Sequence, residues 1–229
     1  MIIMALDHTR DFMHITAITQ NPTDLNTTTP ILFFTRWMTH LCAPTFVFLS
    51  GTSAYLAFQN KNNLAESRWF LITRGIWLVI VEFTVVNFGL WFDIHFSVFL
   101  FDVIAAIGFG FIILGLLLKL SPKMLGIIGL IIIFGHNLLP LIPFAEGSIV
   151  KLILSPLFVP TAIPITANTN FIMGYPPIPW LGIMLVGFAV GKFFEFDEAK
   201  RKSLFLKIGV ASLILFIIIR ATESADNPL

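Results

Sequence analysis

Charge, cysteine and tyrosine are what this sequence has least of. Charged residues make up only 12% of its 229 positions, about half the share usual in a soluble domain, which excludes a water-facing coat around a globular core. With a single cysteine, Cys42, neither an intrachain disulfide nor a cysteine metal cluster is available. Its apolar surroundings make it a small hydrophobe rather than a nucleophile. A formal net charge of +1 without a basic stripe offers no surface to nucleic acid. Phosphate-binding glycine loops, G-x-S-x-G and H-E-x-x-H are missing as well, so the best-marked nucleotide-binding, hydrolase and zinc-protease classes are set aside.

What is there is apolar. The chain is 57% hydrophobic with 25 Phe, residues 103–118 and 124–145 hold no Asp, Glu, Lys or Arg, and residues 204–219 hold only Lys207. Lipid is the solvent for such runs, and helices satisfy their own backbone there. At about 20 residues per span, the sequence predicts an all-α polytopic transmembrane bundle. We place about seven helices, near residues 1–18, 31–59, 68–91, 95–119, 122–143, 177–195 and 203–221. Ser121 and Pro122 mark a tight turn between the fourth and fifth, while residues 143–179, rich in Pro and Thr, read as a loop with a surface helix around 150–157. No repeat or second domain shows, so residues 1–229 form one transmembrane unit. Alternate connections hold Lys61, Arg68, Lys119, Lys123, Lys192, Lys200, Arg201 and Lys202 against only Lys151 and Arg220. Since Lys and Arg collect on the cytoplasmic side, this predicts a cytoplasmic N-terminus. Few residues precede Asp7, which predicts a shortened first helix, and the polar end beyond Thr222 fits a piece of a longer chain.

The first helix carries Asp7, His8, Arg10, Asp11 and His14. Ionisable groups at membrane depth are costly and mark interiors, cavities and function. Helical spacing sets Asp7, Arg10, Asp11 and His14 on one stripe, with His8 beside it. A carboxylate beside a histidine fixes its tautomer and raises its basicity, as a general base requires. Two readings stand: a catalytic group, or an interfacial cluster in which Asp7, Arg10 and Asp11 neutralise one another. Arg36 and His40 share a face of the second helix at i and i+4, next to Trp37, either converging on the stripe or snorkelling to the interface. Arg74 and Glu82, eight apart on the third helix, read as glue between helices, or Arg74 meets donor phosphates. Asp102 reads as the loneliest charge, placed on the fourth helix among Phe99, Phe101 and Phe109, protonated or paired with Arg10 or Arg36. His136 and Asn137 read as an end cap, and Gly182, Gly187 and Gly191 as a packing face. A metal site from His8, Asp11 and His40 is conceivable, but the spacing does not call for one.

Longer motifs carry a resemblance. MALDHTRDF at residues 4–12, NPTDLNTTTP at 21–30, FFTRWMTHLCAPTFVFLSGTSAYL at 33–56, FLITRGIWLVIVEFTVV at 70–86, DVIAAIG at 102–108, GHNLLP at 135–140 and YPPIPWLGIMLVGFAVGKFF at 175–194 resemble bacterial membrane proteins grouped with the catalytic domain of heparan-alpha-glucosaminide N-acetyltransferase. The resemblance implies an acyltransferase of the bacterial inner membrane. It would take an acetyl or acyl group from coenzyme A, a donor substrate rather than a bound cofactor, and pass it to a saccharide or other envelope acceptor. Related membrane acyltransferases have a functional His late in the first helix after an Arg; His8 matches it, and the Arg position falls before Met1. In the eukaryotic enzyme an Asn of the first helix and a His of the following outer segment are implicated. The Asn position is occupied by His8, His14 comes too early for the outer His, and His40 stands where that pattern resembles Asp. Ala105 stands where a Gln is expected.

These readings predict His8 as general base or transient acyl carrier, with Asp7 and Asp11 orienting it and His14 beside it. Arg36, His40 and Arg74 would line the path or hold donor phosphates. A proton-coupled transporter using the same Asp and His residues is the alternative, and a non-catalytic membrane scaffold is the third.

Overall fold

The computed structural model describes residues 2–13, 28–61, 63–136, 138 and 149–226. In chain order the helices are α1 (Ile2–Met13), α2 (Pro30–Thr39), α3 (Cys42–Lys61), α4 (Leu64–Val81), α5 (Asn87–Trp91), α6 (Val103–Leu117), α7 (Pro122–Gly135), α8 (Ile149–Phe158), α9 (Pro177–Gly191) and α10 (Glu198–Asp226). A π-helical turn, Glu82–Val86, joins α4 to α5, and a 3-10 turn, Lys192–Glu195, extends α9. Three strands, β1 (Val98–Phe101), β2 (Thr161–Thr166) and β3 (Thr169–Met173), form one sheet in the order β1-β3-β2.

Local chemistry sets the helix starts. Thr29 accepts the Leu32 amide at 3.3 Å and Pro30 opens α2. Asn63 accepts the Ala65 and Glu66 amides at 3.0 and 3.2 Å, and Ser121 accepts the Met124 amide at 3.3 Å ahead of Pro122. Each supplies an oxygen to the free amides of a first turn, where proline loses nothing.

The all-α membrane bundle expected from the sequence is what the chain forms, with changes at several boundaries. The second span breaks at His40 and Leu41 into α2 and α3, and α4 begins before the expected residue 68. The fourth helix starts at Val103 rather than 95, because residues 98–101 pair with β3 in parallel, Val98 opposite Asn170 and Phe101 opposite Met173. The segment read as a loop holds a helix, α8, where one was expected around residues 150–157, and then the β2–β3 hairpin. The hairpin is rich in β-branched residues, and Pro164 sits on the edge strand, where a missing donor is tolerated. Residues 14–18, 137 and 139–143 of the expected spans, Asn137 of the expected end cap among them, lie outside the described residues.

Three helical stretches are long and apolar enough to cross a membrane: Pro30–Lys61, Leu64–Trp91 and Pro177–Glu195. Val103–Leu117 and Pro122–Gly135 are shorter apolar helices. Helix α9 is central, packed on α3, α6 and α7, while α4 packs on α6. Val47, Tyr55, Leu114, Leu125, Met184, Leu185 and Phe188 form the buried core. Glycines set the crossings. A Cβ on Gly51 would lie 2.1 Å from the Met184 carbonyl oxygen, and one on Gly75 would lie 2.5 Å from that of Gly108. The packing role expected for Gly182, Gly187 and Gly191 holds: each has a neighbour within 3.0 Å of a built Cβ, on α7 for Gly182 and on α3 for the other two. The outer faces are apolar, with Trp69, Trp77, Ile80, Ile131, Phe134 and Leu213 all exposed, as a lipid-facing surface requires.

Contacts between the helices place their ends. Tyr55 of α3 meets Glu195 beyond α9, and Arg68 of α4 donates to the Gly115 carbonyl of α6 at 3.2 Å, all at one end. At the other end Asn87 meets Leu100 beside the sheet. The connection between them, residues 92–97, is turned by Phe92 and Phe96, both with positive φ. Asp93 accepts the His95 and Ser97 amides at 2.8 Å each, and these bonds, that of Ser97 foremost, hold its carboxyl below the ordinary range. A lowered carboxyl stabilises the fold above its unfolded value and loses that effect as pH falls through the folded value. Asp93→Ala is therefore expected to lower Tm at neutral pH, with the gap to wild type closing in acid; thermal unfolding at a series of pH values checks it.

Candidate functional site at the sheet end of the bundle

Helix α1 is tied to α2 by one carboxylate and two guanidinium groups. Asp7 Oδ1 lies 2.8 Å from Arg10 Nη2 and 3.1 Å from Arg36 Nη1, and its Oδ2 lies 3.2 Å from the same Arg36 nitrogen. The Asp7 and Arg10 side chains are mostly buried. Charge-assisted bonds of this kind are the strong ones, and they make Asp7 a joint between two helices. Arg36 thus converges on the first-helix stripe, one of the two placements open from sequence. His40 does not join it: the residue is exposed and its Nδ1 lies 2.9 Å from the Arg36 carbonyl of its own helix. Asp11 lies on α1 with its side chain outside the described residues, and so does the whole of His14.

His8 is exposed, with its ring centroid 6.5 Å from that of Phe12. Asp102 is not on a helix, as expected from sequence, but is the N-cap of α6, where its Oδ1 accepts the Val103 amide at 2.8 Å. Of the cations considered for it, Arg10 and Arg36 each give one nitrogen to the Asp7 carboxylate.

Behind Asp102 stands Glu82, 0% exposed. Its Oε2 accepts the Ala105 amide of α6 at 3.1 Å. Its Oε1 has no hydrogen-bond partner among the described residues. Asn87, 1% exposed, donates from Nδ2 to the Glu82 carbonyl at 2.7 Å and to the Leu100 carbonyl at 2.9 Å. Its Oδ1 accepts the Leu100 amide at 2.6 Å. In a regular α-helix residues five apart point about 140° from each other; the π turn between Glu82 and Asn87 brings both to the α6 side. Such turns are frequent at functional sites.

Arg74, eight residues before Glu82, has different surroundings. It is exposed, its guanidinium lies 4.8 Å from the Phe70 ring centroid, and it lines an apolar cleft of about 490 Å³ with Trp77, Leu78, Val81 and Phe111. His136 closes α7 as the expected cap, with Nδ1 2.7 Å from the Ile133 carbonyl. Sequence reasoning undervalued Glu82 and passed over Asn87. The available signal was a carboxyl and a carboxamide inside one apolar helix, each in need of a partner.

A bundle with apolar outer faces, alternating helix directions and a polar centre beside non-helical backbone defines a polytopic integral membrane protein. The chain belongs to the family described as heparan-alpha-glucosaminide N-acetyltransferase, catalytic, whose pattern matches residues 1–222. No curated protein and no solved structure matches it. Family membership points to an acetyltransferase-type membrane enzyme.

Proposed function

We propose that the protein moves an acetyl or acyl group from acyl-CoA to an amine or hydroxyl of a saccharide or other envelope acceptor. In this reading His8 does the chemistry, as base or as transient acyl carrier, at the sheet end of a bundle in the bacterial inner membrane. The observation that carries the reading is the set of polar groups itself: exposed His8 stands on α1 next to the Asp7 carboxylate that joins Arg10 and Arg36, and the Asp102 carboxylate caps the start of α6. As a base, the imidazole takes the proton of the acceptor while its nitrogen or oxygen attacks the thioester carbonyl. The coenzyme A thiolate leaves with the electron pair of the broken C–S bond, and the imidazolium returns the proton to it. Asp102 compensates the positive charge on His8 between those two steps.

The other polar residues have supporting parts. Asp7 holds Arg10 and Arg36 together and so fixes the height of α1 against α2; Asp11, His14 and His40 complete the polar lining of this end. Arg74, at the rim of its apolar cleft, and Arg36 attract donor phosphates. Lys61, Arg68, Lys119, Lys123, Lys192, Lys200, Arg201 and Lys202 gather at the opposite end of the bundle. This charge bias supports placing that end, and the N-terminus, in the cytoplasm.

The test is turnover of acetyl-CoA labelled in the acetyl group by the detergent-purified chain, with Asp102→Asn beside it. Release of coenzyme A with label in an amine or hydroxyl acceptor, lowered on the order of 10²-fold in kcat by Asp102→Asn, is the expected result. Absence of donor turnover, with pH-driven flux in liposomes instead, would replace the reading with proton-coupled transport.

A further inference from the structure

Asp102 is held from both sides by one helical segment. On its N-terminal flank, Asn87 pairs with the amide and the carbonyl of Leu100, as a neighbouring strand would. On its C-terminal flank, Glu82 takes the Ala105 amide. Between them the Phe101 carbonyl accepts the Gly174 and Tyr175 amides at 3.0 and 3.2 Å, so the backbone on either side of Asp102 is bonded in place.

The need for such a clamp follows from the length of α6. Its fifteen residues, Val103–Leu117, reach only about 22 Å, against about 30 Å of hydrocarbon. Strand β1 and Asp102 therefore sit at membrane depth, where non-helical backbone survives only when other protein groups satisfy it. Glue between helices would be expected to use both carboxylate oxygens; Glu82, fully buried, bonds through Oε2 and leaves Oε1 without a partner among the described residues. A costly residue placed on the amides that open α6 marks that hold as its purpose.

We propose that Glu82 and Asn87, joined through the π turn, are positioning residues that hold the backbone on both sides of Asp102 and so fix its carboxylate at the start of α6. This rests on the reading of His8 and Asp102 as the transfer pair. The part assigned to Glu82 is that of a hydrogen-bond acceptor, which a carboxamide oxygen also fills.

The test compares wild type, Glu82→Leu and Glu82→Gln as purified full chains, by acetyl-CoA kinetics and by hydrogen exchange of the peptide spanning residues 100–106. Glu82→Leu is expected to lower kcat on the order of 10²-fold with KM for acetyl-CoA little changed, and to speed exchange at Ala105. Glu82→Gln is expected to restore both. Unchanged exchange in Glu82→Leu would overturn the clamp. A Gln variant as slow as the Leu variant, with Ala105 still protected, would overturn it too, because charge rather than positioning would then be the need. If Glu82→Leu does not fold, Asn87→Asp serves, since it keeps the bond from the Leu100 amide and loses both donations; faster exchange at residues 100–106 supports the clamp and wild-type exchange overturns it. Wild type without turnover but with the expected exchange pattern in the variants would remove the transfer reading and leave the clamp standing.

Discussion

His8→Ala is expected to lower acetyl transfer by about 10²–10⁴-fold while leaving the folded protein in place. The side chain is exposed and, among the described residues, its ring meets one aromatic ring, that of Phe12, so truncation removes little packing; an exposed substitution of this kind shifts stability within about ±0.5 kcal/mol. The Asp7 joint to Arg10 and Arg36 does not include His8, and α1 stays tied to α2 in the variant. Loss of function without loss of fold is thus the distinguishing pattern. Single-turnover kinetics with labelled acetyl-CoA, run beside thermal unfolding of the same preparations, reads both. If label is retained on wild-type protein and lost from His8→Ala, His8 is the acyl carrier; if neither is labelled while wild type turns over, it is the base. Full activity in His8→Ala would remove His8 from the chemistry.

The largest effect on folding is expected at Gly187. A Cβ there would lie 2.1 Å from the Phe48 carbonyl oxygen, 2.9 Å from its carbon and 3.1 Å from the Phe48 Cα. All three are backbone atoms of α3 and have no rotamer by which to yield. The Thr52 hydroxyl also donates to the Gly187 carbonyl at 3.0 Å, a bond that requires the same close approach. Gly187→Ala must therefore push α3 off α9, the central helix of the bundle, at a cost of about 3 kcal/mol or more. Gly209→Ala is the control, because nothing lies within 4 Å of a Cβ built there. Alanine should strengthen that helix by up to about 1 kcal/mol. Thermal unfolding of the two variants in one detergent checks the contrast, and equal Tm values would show that α3 and α9 do not meet at this glycine.

Much of the architecture was legible because lipid imposes a one-dimensional rule. Every spanning segment must be long, apolar and helical, so runs such as 103–118 and 204–219 declare themselves without reference to any other part of the chain. The glycines of α9 were readable for the same reason, since a small residue in an apolar helix has few uses besides close packing. Strand β1 was not: VFLF at residues 98–101 runs straight into the apolar start of α6, and a short hydrophobic run has no period that separates strand from helix. Only pairing with β3, more than sixty residues on, decides between them.

The candidate site divides in the same way. The sequence by itself determined that ionisable residues crowd the first helix, that Arg36 follows on the second and that Asp102 stands alone among aromatics, because composition and helical spacing are properties of the chain. Which carboxylate answers which cation was decided by the fold. Asp7, His8's neighbour in the chain, is taken by Arg10 and Arg36, while Asp102, far off in sequence, caps α6 through the Val103 amide. The third helix brings Glu82 and Asn87 to the two flanks of Asp102 through a π turn that no propensity marks. Ion pairs and buried hydrogen bonds depend on distances of a few ångströms between separate segments, and those distances exist only once the helices are packed.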